Sequence, residues 1–287
     1  MNRLGSTKCG NIEFRWGERT YVMGIVNMSP DSFSGDGIAN LEAALGQAHR
    51  LVIEGADILD IGGESTRPGA PPVTSEEEIR RVVPVIERLA SEISVPISID
   101  TYKSEVAVPA LEAGATIIND QWGLKKDHQL AELAAERDIP IILMSNQRGE
   151  RGGYDAGVRR DIAYYDDVMA EVISSLRNSM ELALKLNVRR ENIILDPGIG
   201  FGKTWKQELE IISRLGELKE LGRPILVGPS RKSFIKMVLG LPADDRVEGT
   251  AAAVAISIAN GADIVRVHDV KQMVRISRMC DAIVRGL

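Results

Sequence analysis

Two kinds of apolar run alternate along this chain. Short, nearly unbroken apolar blocks read as buried strands, and longer stretches with apolar residues three and four apart read as helices. The strand-like blocks fall at 20–27, 56–61, 95–100, 115–119, 139–144, 192–196, 224–228 and 262–267. Helical spacing fills the intervals, at 41–54, from Thr74 to about 89, and at 104–113, 127–137, 161–186 and 205–221. A short helix follows from Ser230, and two more lie at 245–260 and 271–285. Thr74 and Glu77 have the spacing of a capping box, while Pro84 should kink that helix or push its start later. Residues 13–16 and 20–27 flank Gly17-Glu18 and predict an N-terminal hairpin at about 11–22.

One joint recurs: Glu-Gly-Ala-Asp-Ile at 54–58, Ala-Gly-Ala-Thr-Ile at 113–117 and Asn-Gly-Ala-Asp-Ile at 260–264. Each ends a helix on glycine and turns at once into an apolar strand, as in a repeating β/α unit. Strands apolar on both faces suit a parallel sheet. Eight such units predict one domain over 1–287, a (β/α)8 TIM barrel with an N-terminal β-hairpin added. A doubly wound open sheet is the alternative; the even run of units and the absence of a linker count against it.

Composition narrows the partners. The 287 residues are 44% hydrophobic and 26% charged, with a formal net charge of -6 and no basic run, which argues against nucleic acid. The two cysteines, Cys9 and Cys280, do not make a disulfide framework and point to a reducing compartment. No apolar run reaches the roughly 20 residues of a membrane helix. The expectation is a cytoplasmic protein that acts on small molecules.

In such a barrel the chemistry lies at the C-terminal ends of the strands. Asn27, Asp60, Asp100, Asn119, Asp196, Arg266 and His268 stand there, with Thr66, Arg67, Lys232 and Ser233 on nearby loops. Asp100, Asn119 and Asp196 offer acceptors and an amide, which suits a flat heterocycle with N–H donors such as a pterin or purine. Arg67, Arg266 and His268 offer cations for a diphosphate, triphosphate or carboxylate. Asn27 beside a polyphosphate could help hold Mg²⁺. His49 and His128, on helices, are read as structural. The stretch 192–204, Asn-Ile-Ile-Leu-Asp-Pro-Gly-Ile-Gly-Phe-Gly-Lys-Thr, ends like a phosphate-binding P-loop. That motif needs glycine where Pro197 stands, so the reading is set aside.

These segments together resemble the dihydropteroate synthases. The resemblance runs from about Tyr21 to the C-terminus. It rests on Met-Gly-Ile-Val-Asn-Met-Ser-Pro-Asp-Ser-Phe-Ser-Gly-Asp-Gly at 23–37 and Asp-Ile-Gly-Gly-Glu-Ser-Thr-Arg-Pro-Gly-Ala at 60–70. Shorter matches lie at 98–101, 118–120, 195–203, 228–234 and 266–269. The resemblance implies that 4-aminobenzoate displaces diphosphate from (7,8-dihydropterin-6-yl)methyl diphosphate to give 7,8-dihydropteroate in folate synthesis. A pterin-binding carrier or paralogue without synthase activity is the alternative.

By motif match, Asp100, Asn119, Asp196 and Lys232 would hold the pterin. Asn27, Thr66, Arg67, Arg266 and His268 would meet the diphosphate, with Mg²⁺ at Asn27. Arg67, Pro68, Phe201 and Ser233 would meet the 4-aminobenzoate. Asp100, Lys232 and Arg266 are the expected catalytic residues, and Arg266→Ala is expected to spare the binding of free pterin. The resemblance also implies a homodimer and loops at 29–37 and 63–72 that order over the substrates. The chain departs from the family pattern at Met28-Ser29, at Met144-Ser145 where Met-His is usual, and at Gln121-Trp122 where an apolar residue usually follows Asn-Asp. Lys203 receives no ligand and is left to position its loop.

Overall fold

A computed structural model describes residues 4–28, 41–65, 70–148 and 165–286. Its strands are β1 (Ser6–Cys9), β2 (Ile12–Arg15), β3 (Tyr21–Asn27), β4 (Ile58–Gly62), β5 (Ile97–Asp100), β6 (Ile117–Asp120), β7 (Ile141–Met144), β8 (Ile193–Asp196), β9 (Leu226–Val227) and β10 (Ile264–Val267). The helices are α1 (Leu41–Ile53), α2 (Ser75–Glu92), α3 (Ser104–Glu112), α4 (Gln129–Arg137), α5 (Val168–Lys185), α6 (Trp205–Ser213), α7 (Ser233–Leu239), α8 (Val247–Ala259) and α9 (Val270–Val284). Strands β3 to β10 form one eight-stranded sheet in the order β8-β7-β6-β5-β4-β3-β10-β9. A parallel bridge between Leu195 and Ile225 joins its two ends into a barrel.

Strand alternation sorts the barrel residues into two cores. Val22, Val26, Leu59, Ile61, Ile99, Ile118, Leu143, Leu195 and Val265 face outward and pack under the helices. Met23, Ile58, Ile117, Ile142, Ile194, Leu226 and Ile264 face inward and fill the lower barrel. Because the period is two, the next inward position on each strand is fixed. It is Ile25 after Met23, Asp60 after Ile58, Asn119 after Ile117, Met144 after Ile142, Asp196 after Ile194, Gly228 after Leu226 and Arg266 after Ile264. The inner face is therefore apolar at one level and mostly polar one pleat higher.

The hairpin differs from the expectation. β1 pairs antiparallel with β2, Ser6 opposite Arg15 and Cys9 opposite Ile12, across a turn at Gly10-Asn11. Residues 21–27 cannot belong to a hairpin because both of their edges are used: β10 pairs with one and β4 with the other, each in parallel. The hairpin closes the bottom of the barrel. Cys9, Phe14 and Trp16 join the inner core. The Trp16 indole donates to Thr7 Oγ1 at 2.8 Å, and Thr7 donates to the Glu191 carbonyl at 2.6 Å.

Helix ends follow local chemistry, with three departures. Thr74 caps α2 by accepting from the Glu77 amide at 3.3 Å, but the Glu77 carboxylate pairs with Arg80 and Arg81 rather than completing the box. The helix starts there and continues through Pro84. Helix α5 begins at Val168, capped by Asp167, later than the periodicity from 161 suggests. The helix expected over 205–221 divides into α6 and a 3₁₀ stretch, Leu215–Leu221, closed by Gly222 with φ +65°. Among the described residues no helix is long and apolar enough to cross a membrane.

Candidate active site

The upper inner layer of the barrel is one connected polar network. Arg266, on β10, reaches across the mouth. Its Nε donates to Asp60 Oδ2 at 2.6 Å and its Nη2 to Asp100 Oδ2 at 2.7 Å. Asn119 Nδ2 donates to the same Asp60 oxygen at 3.1 Å. Gln121 Nε2 donates to Asp100 Oδ1. The β5–β6 register sets Asp100 beside Asn119, and the β4–β5 register sets Gly62 beside Asp100. Asp60 is fully buried, and its Oδ1 has no hydrogen-bond partner.

Burial shapes the protonation of this layer. It raises Asp100, as does the neighbouring Asp60 carboxylate, against the opposing pull of Arg266 and the Gln121 amide. It pushes Asp196 up to about 6, while the Gly198 amide and the charges of Lys232 and Arg266 oppose it. Asp196 Oδ1 accepts from the Gly198 amide at 2.7 Å, which turns the chain over the site. Lys232 is pulled down to about 8 by burial and by Arg266 and Arg148. Its Nζ lies 4.5 Å from the centre of the Phe201 ring, and the Arg148 guanidinium lies 4.4 Å from the same centre. Phe201 is buried, whereas Ser233, the first residue of α7, is exposed.

The loop after β8 is shaped from behind. Lys203 Nζ donates to the carbonyls of Ser145, Gly198 and Phe201 at 2.8, 3.1 and 3.1 Å. Thr204 caps α6 in a reciprocal box with Gln207. Both residues that suggested a P-loop are thus committed to holding the loop. Gly198 has φ +72° and its Cβ would collide with the Ser145 carbonyl; Gly202 has φ +75° and would meet the Gln147 backbone. Only glycine lets this loop lie so close to the one after β7.

His268 and Arg266 occupy inward positions two residues apart, but their surroundings differ. The Ser230 hydroxyl meets His268 Nδ1 at 3.0 Å and accepts from the His268 amide at 3.2 Å. Burial, then Arg231, Arg266 and Lys232, hold His268 well below the usual histidine range. His268 thus stands beside the Ser230 hydroxyl and among the cations of Arg231, Arg266 and Lys232 at the end of β10. His49 instead lies at the surface, 2.8 Å from Glu92, and His128 stands at the start of α4.

Of the expected site residues, Asp100, Asn119 and Arg266 belong to one hydrogen-bonded network, while Asp196, Lys232 and Phe201 line the adjoining wall. Asn27 ends β3 and is half-buried. Thr66, Arg67 and Pro68 lie outside the described residues, as do 29–37 of the first loop. Arg266, expected at the diphosphate, is bonded to Asp60 and to Asp100, the latter expected at the pterin. Sequence reasoning set Asp60 at the barrel mouth without a ligand and gave no role to Gln121, Arg148 or Ser230. Asp60 and Ser230 do lie inside motifs already singled out, whereas Arg148 carries no signal beyond its place after a barrel strand.

Residues 23–268 match the profile of the pterin binding enzymes. A dihydropteroate synthase from Clostridium beijerinckii is 48% identical over 280 residues, which is 97% of this chain and 99% of the relative. The chain belongs to the dihydropteroate synthase family of pterin-binding enzymes. Solved members superpose closely. The dihydropteroate synthase of Clostridium difficile, determined in the presence of pteroic acid, has a TM-score of 0.85 at 48% identity and covers 94% of this chain and 98% of its own. That of Xanthomonas albilineans with 4-aminobenzoic acid has a TM-score of 0.87 at 40% identity and covers 97% of each chain. In this family's terms, the polar layer lies at the strand ends where a (β/α)8 barrel places its site.

Proposed function

We infer that this chain catalyses dihydropteroate synthesis, a transferase reaction in folate biosynthesis. 4-Aminobenzoate displaces diphosphate from (7,8-dihydropterin-6-yl)methyl diphosphate. The carrying observation is the switch, on the inner face of the barrel, from a filled apolar layer to a layer of Asp60, Asn119, Asp196 and Arg266 joined to Asp100 and Lys232. A layer of that kind is costly to bury, since each unpaired polar group costs about 1–3 kcal/mol. It suits a flat heterocycle that exchanges hydrogen bonds with it.

In this reading the pterin lies against Asp100, Asn119, Asp196 and Lys232. The carbon–oxygen bond to diphosphate breaks, the electron pair leaves with the diphosphate, and the methylene carbon gains positive charge. Asp100, held between Arg266 and Gln121, is fixed beside that charge and stabilises it in its carboxylate form without moving, which is electrostatic preorganisation. Phe201 forms a wall for the aminobenzoate ring with Ser233 near the rim, Arg67 and Pro68 being the other expected contacts. The aromatic amine attacks the methylene carbon and gives up its proton. Asn27, Thr66, Arg67, Arg266 and His268 meet the diphosphate.

Among the described residues no group of three or more His, Cys, Asp or Glu side chains is placed to hold a metal ion. Asn27, at the end of β3, suits Mg²⁺ in the manner of an ion that takes most of its oxygens from phosphate and water. Bound there, Mg²⁺ would neutralise charge on the leaving diphosphate. A homodimer is part of the same reading, supported by the exposed Met237, Val238 and Leu239 on α7, Ile256 on α8 and Met279 and Ile283 on α9. The two unpaired cysteines support a cytoplasmic location.

The test is turnover by the purified protein with Mg²⁺ and both substrates. Diphosphate release that requires 4-aminobenzoate is expected. Pterin binding without release, or release indifferent to 4-aminobenzoate, would overturn the synthase in favour of a carrier.

A further inference from the structure

Gln121 is a polar residue held in place as firmly as any in the site. Asp120, just before it, accepts from the amides of Trp122 at 2.8 Å and Leu124 at 2.6 Å, fixing the turn that follows β6. Asn146 Nδ2 donates to the Gln121 carbonyl at 2.9 Å from the neighbouring loop. The side chain is 9% exposed, and its Nε2 donates to Asp100 Oδ1. Its Oε1 is buried with no hydrogen-bond partner. With Arg266 on Oδ2, both oxygens of Asp100 are already engaged in the free protein. A heterocycle that approaches Asp100 therefore meets the Asp100–Gln121 pair rather than a bare carboxylate.

A residue that only filled this wall would do so better without an orphaned amide oxygen. A buried acceptor with no donor destabilises the fold, and an apolar side chain of similar size would not. The orphan becomes intelligible when a ligand carries the missing donor. We propose that Gln121 is a specificity residue for the pterin, its amide nitrogen orienting Asp100 and its amide oxygen accepting from an N–H on the edge of the bound ring. This rests on the pterin reading of the site and adds a residue that the motifs do not supply.

The experiment compares wild type with Gln121→Leu and the length-matched Gln121→Met. Three quantities are read: the melting temperature without ligand, the affinity for 6-hydroxymethylpterin by calorimetry, and KM for each substrate. Both variants remove the orphaned Oε1 but also take the donor from Asp100 Oδ1, so their melting temperatures are expected within a few degrees of wild type, while the pterin binds at least tenfold more weakly. KM for the pterin diphosphate should rise by a similar factor, with KM for 4-aminobenzoate changed less than twofold. A purely structural glutamine would instead weaken both substrates together, in step with the loss of melting temperature, and that result would overturn the proposal. Pterin affinity within twofold of wild type in both variants would also overturn it. Because binding is read without turnover, a wild type that binds pterin but makes no product would sink the synthase and leave this inference standing on the variants.

Discussion

The two ends of this barrel are built from the same strands and the same inward face, yet they solve opposite problems. At the bottom, Met23, Ile58, Ile117, Ile142, Ile194, Leu226 and Ile264 close against Phe14, Trp16 and Cys9 of the hairpin. Phe14 packs edge-on to Tyr21 at 4.6 Å between ring centres and stacks with Trp16 at 5.9 Å. One pleat higher, carboxylates, an amide and a guanidinium share hydrogen bonds and leave Asp60 Oδ1 and Gln121 Oε1 without partners. The lower layer is close-packed and sealed. The upper layer is polar and incompletely satisfied. The difference teaches that stability and chemistry are separated along the barrel axis, by a single step of strand alternation rather than by separate domains.

That separation can be broken most severely at Arg266. Arg266→Ala leaves Asp60 and Asp100 buried without their shared cation. Breaking a buried pair costs about 3–5 kcal/mol, so the melting temperature should fall, turnover should fall more than a hundredfold, and free pterin should bind weakly. Calorimetry on the variant with and without pterin checks this; unchanged pterin affinity would bear out a clean division between the two ends of the substrate. At the bottom, Phe14→Ala should cost a comparable about 3–5 kcal/mol of stability through the cavity it opens, read by denaturant melts. Per folded molecule its kcat/KM should stay within about twofold, and a large kinetic defect would show that the bottom plug does couple to the site.

The smallest expected effect sharpens the picture at Asp196. Its folded pKa is raised to about 6 from 3.8 by burial. The folded state therefore holds this proton more tightly than the unfolded chain. The stability it contributes is complete below the unfolded pKa and is lost as pH rises through about 6. The size is on the order of 3 kcal/mol, from the free-energy value of a pKa shift. In Asp196→Asn, melting temperature plotted from pH 4 to 7 should lose that downward slope relative to wild type. An unchanged slope would mean that Asp196 is ionised throughout.

The barrel itself was legible in the pattern. Period-two strands, 3.6-period helices and the repeated Gly-Ala joint are local consequences of backbone geometry, so they survive without any knowledge of contacts. The same holds for the candidate site, since residues at strand ends share a mouth once the fold is a barrel. The hairpin was not legible, because β3 has the composition of a hairpin strand and only the pairing of both its edges excludes it. Lys203 and Thr204 carried a motif whose meaning is reversed by three carbonyls and a helix cap.

What the sequence determined alone is therefore the order of elements, the face each residue takes, and the set of polar side chains at the barrel mouth. Those depend on alternation and on neighbours a few residues apart. What the tertiary structure decided is which charges meet: Arg266 with Asp60 and Asp100, 206 and 166 residues away in the chain, Gln121 with Asp100, and Ser230 with His268. Partners so distant, and the burial that lowers His268 and lifts Asp196, arise only when the sheet closes, because desolvation and pairing belong to the enclosed space and to no single stretch of chain.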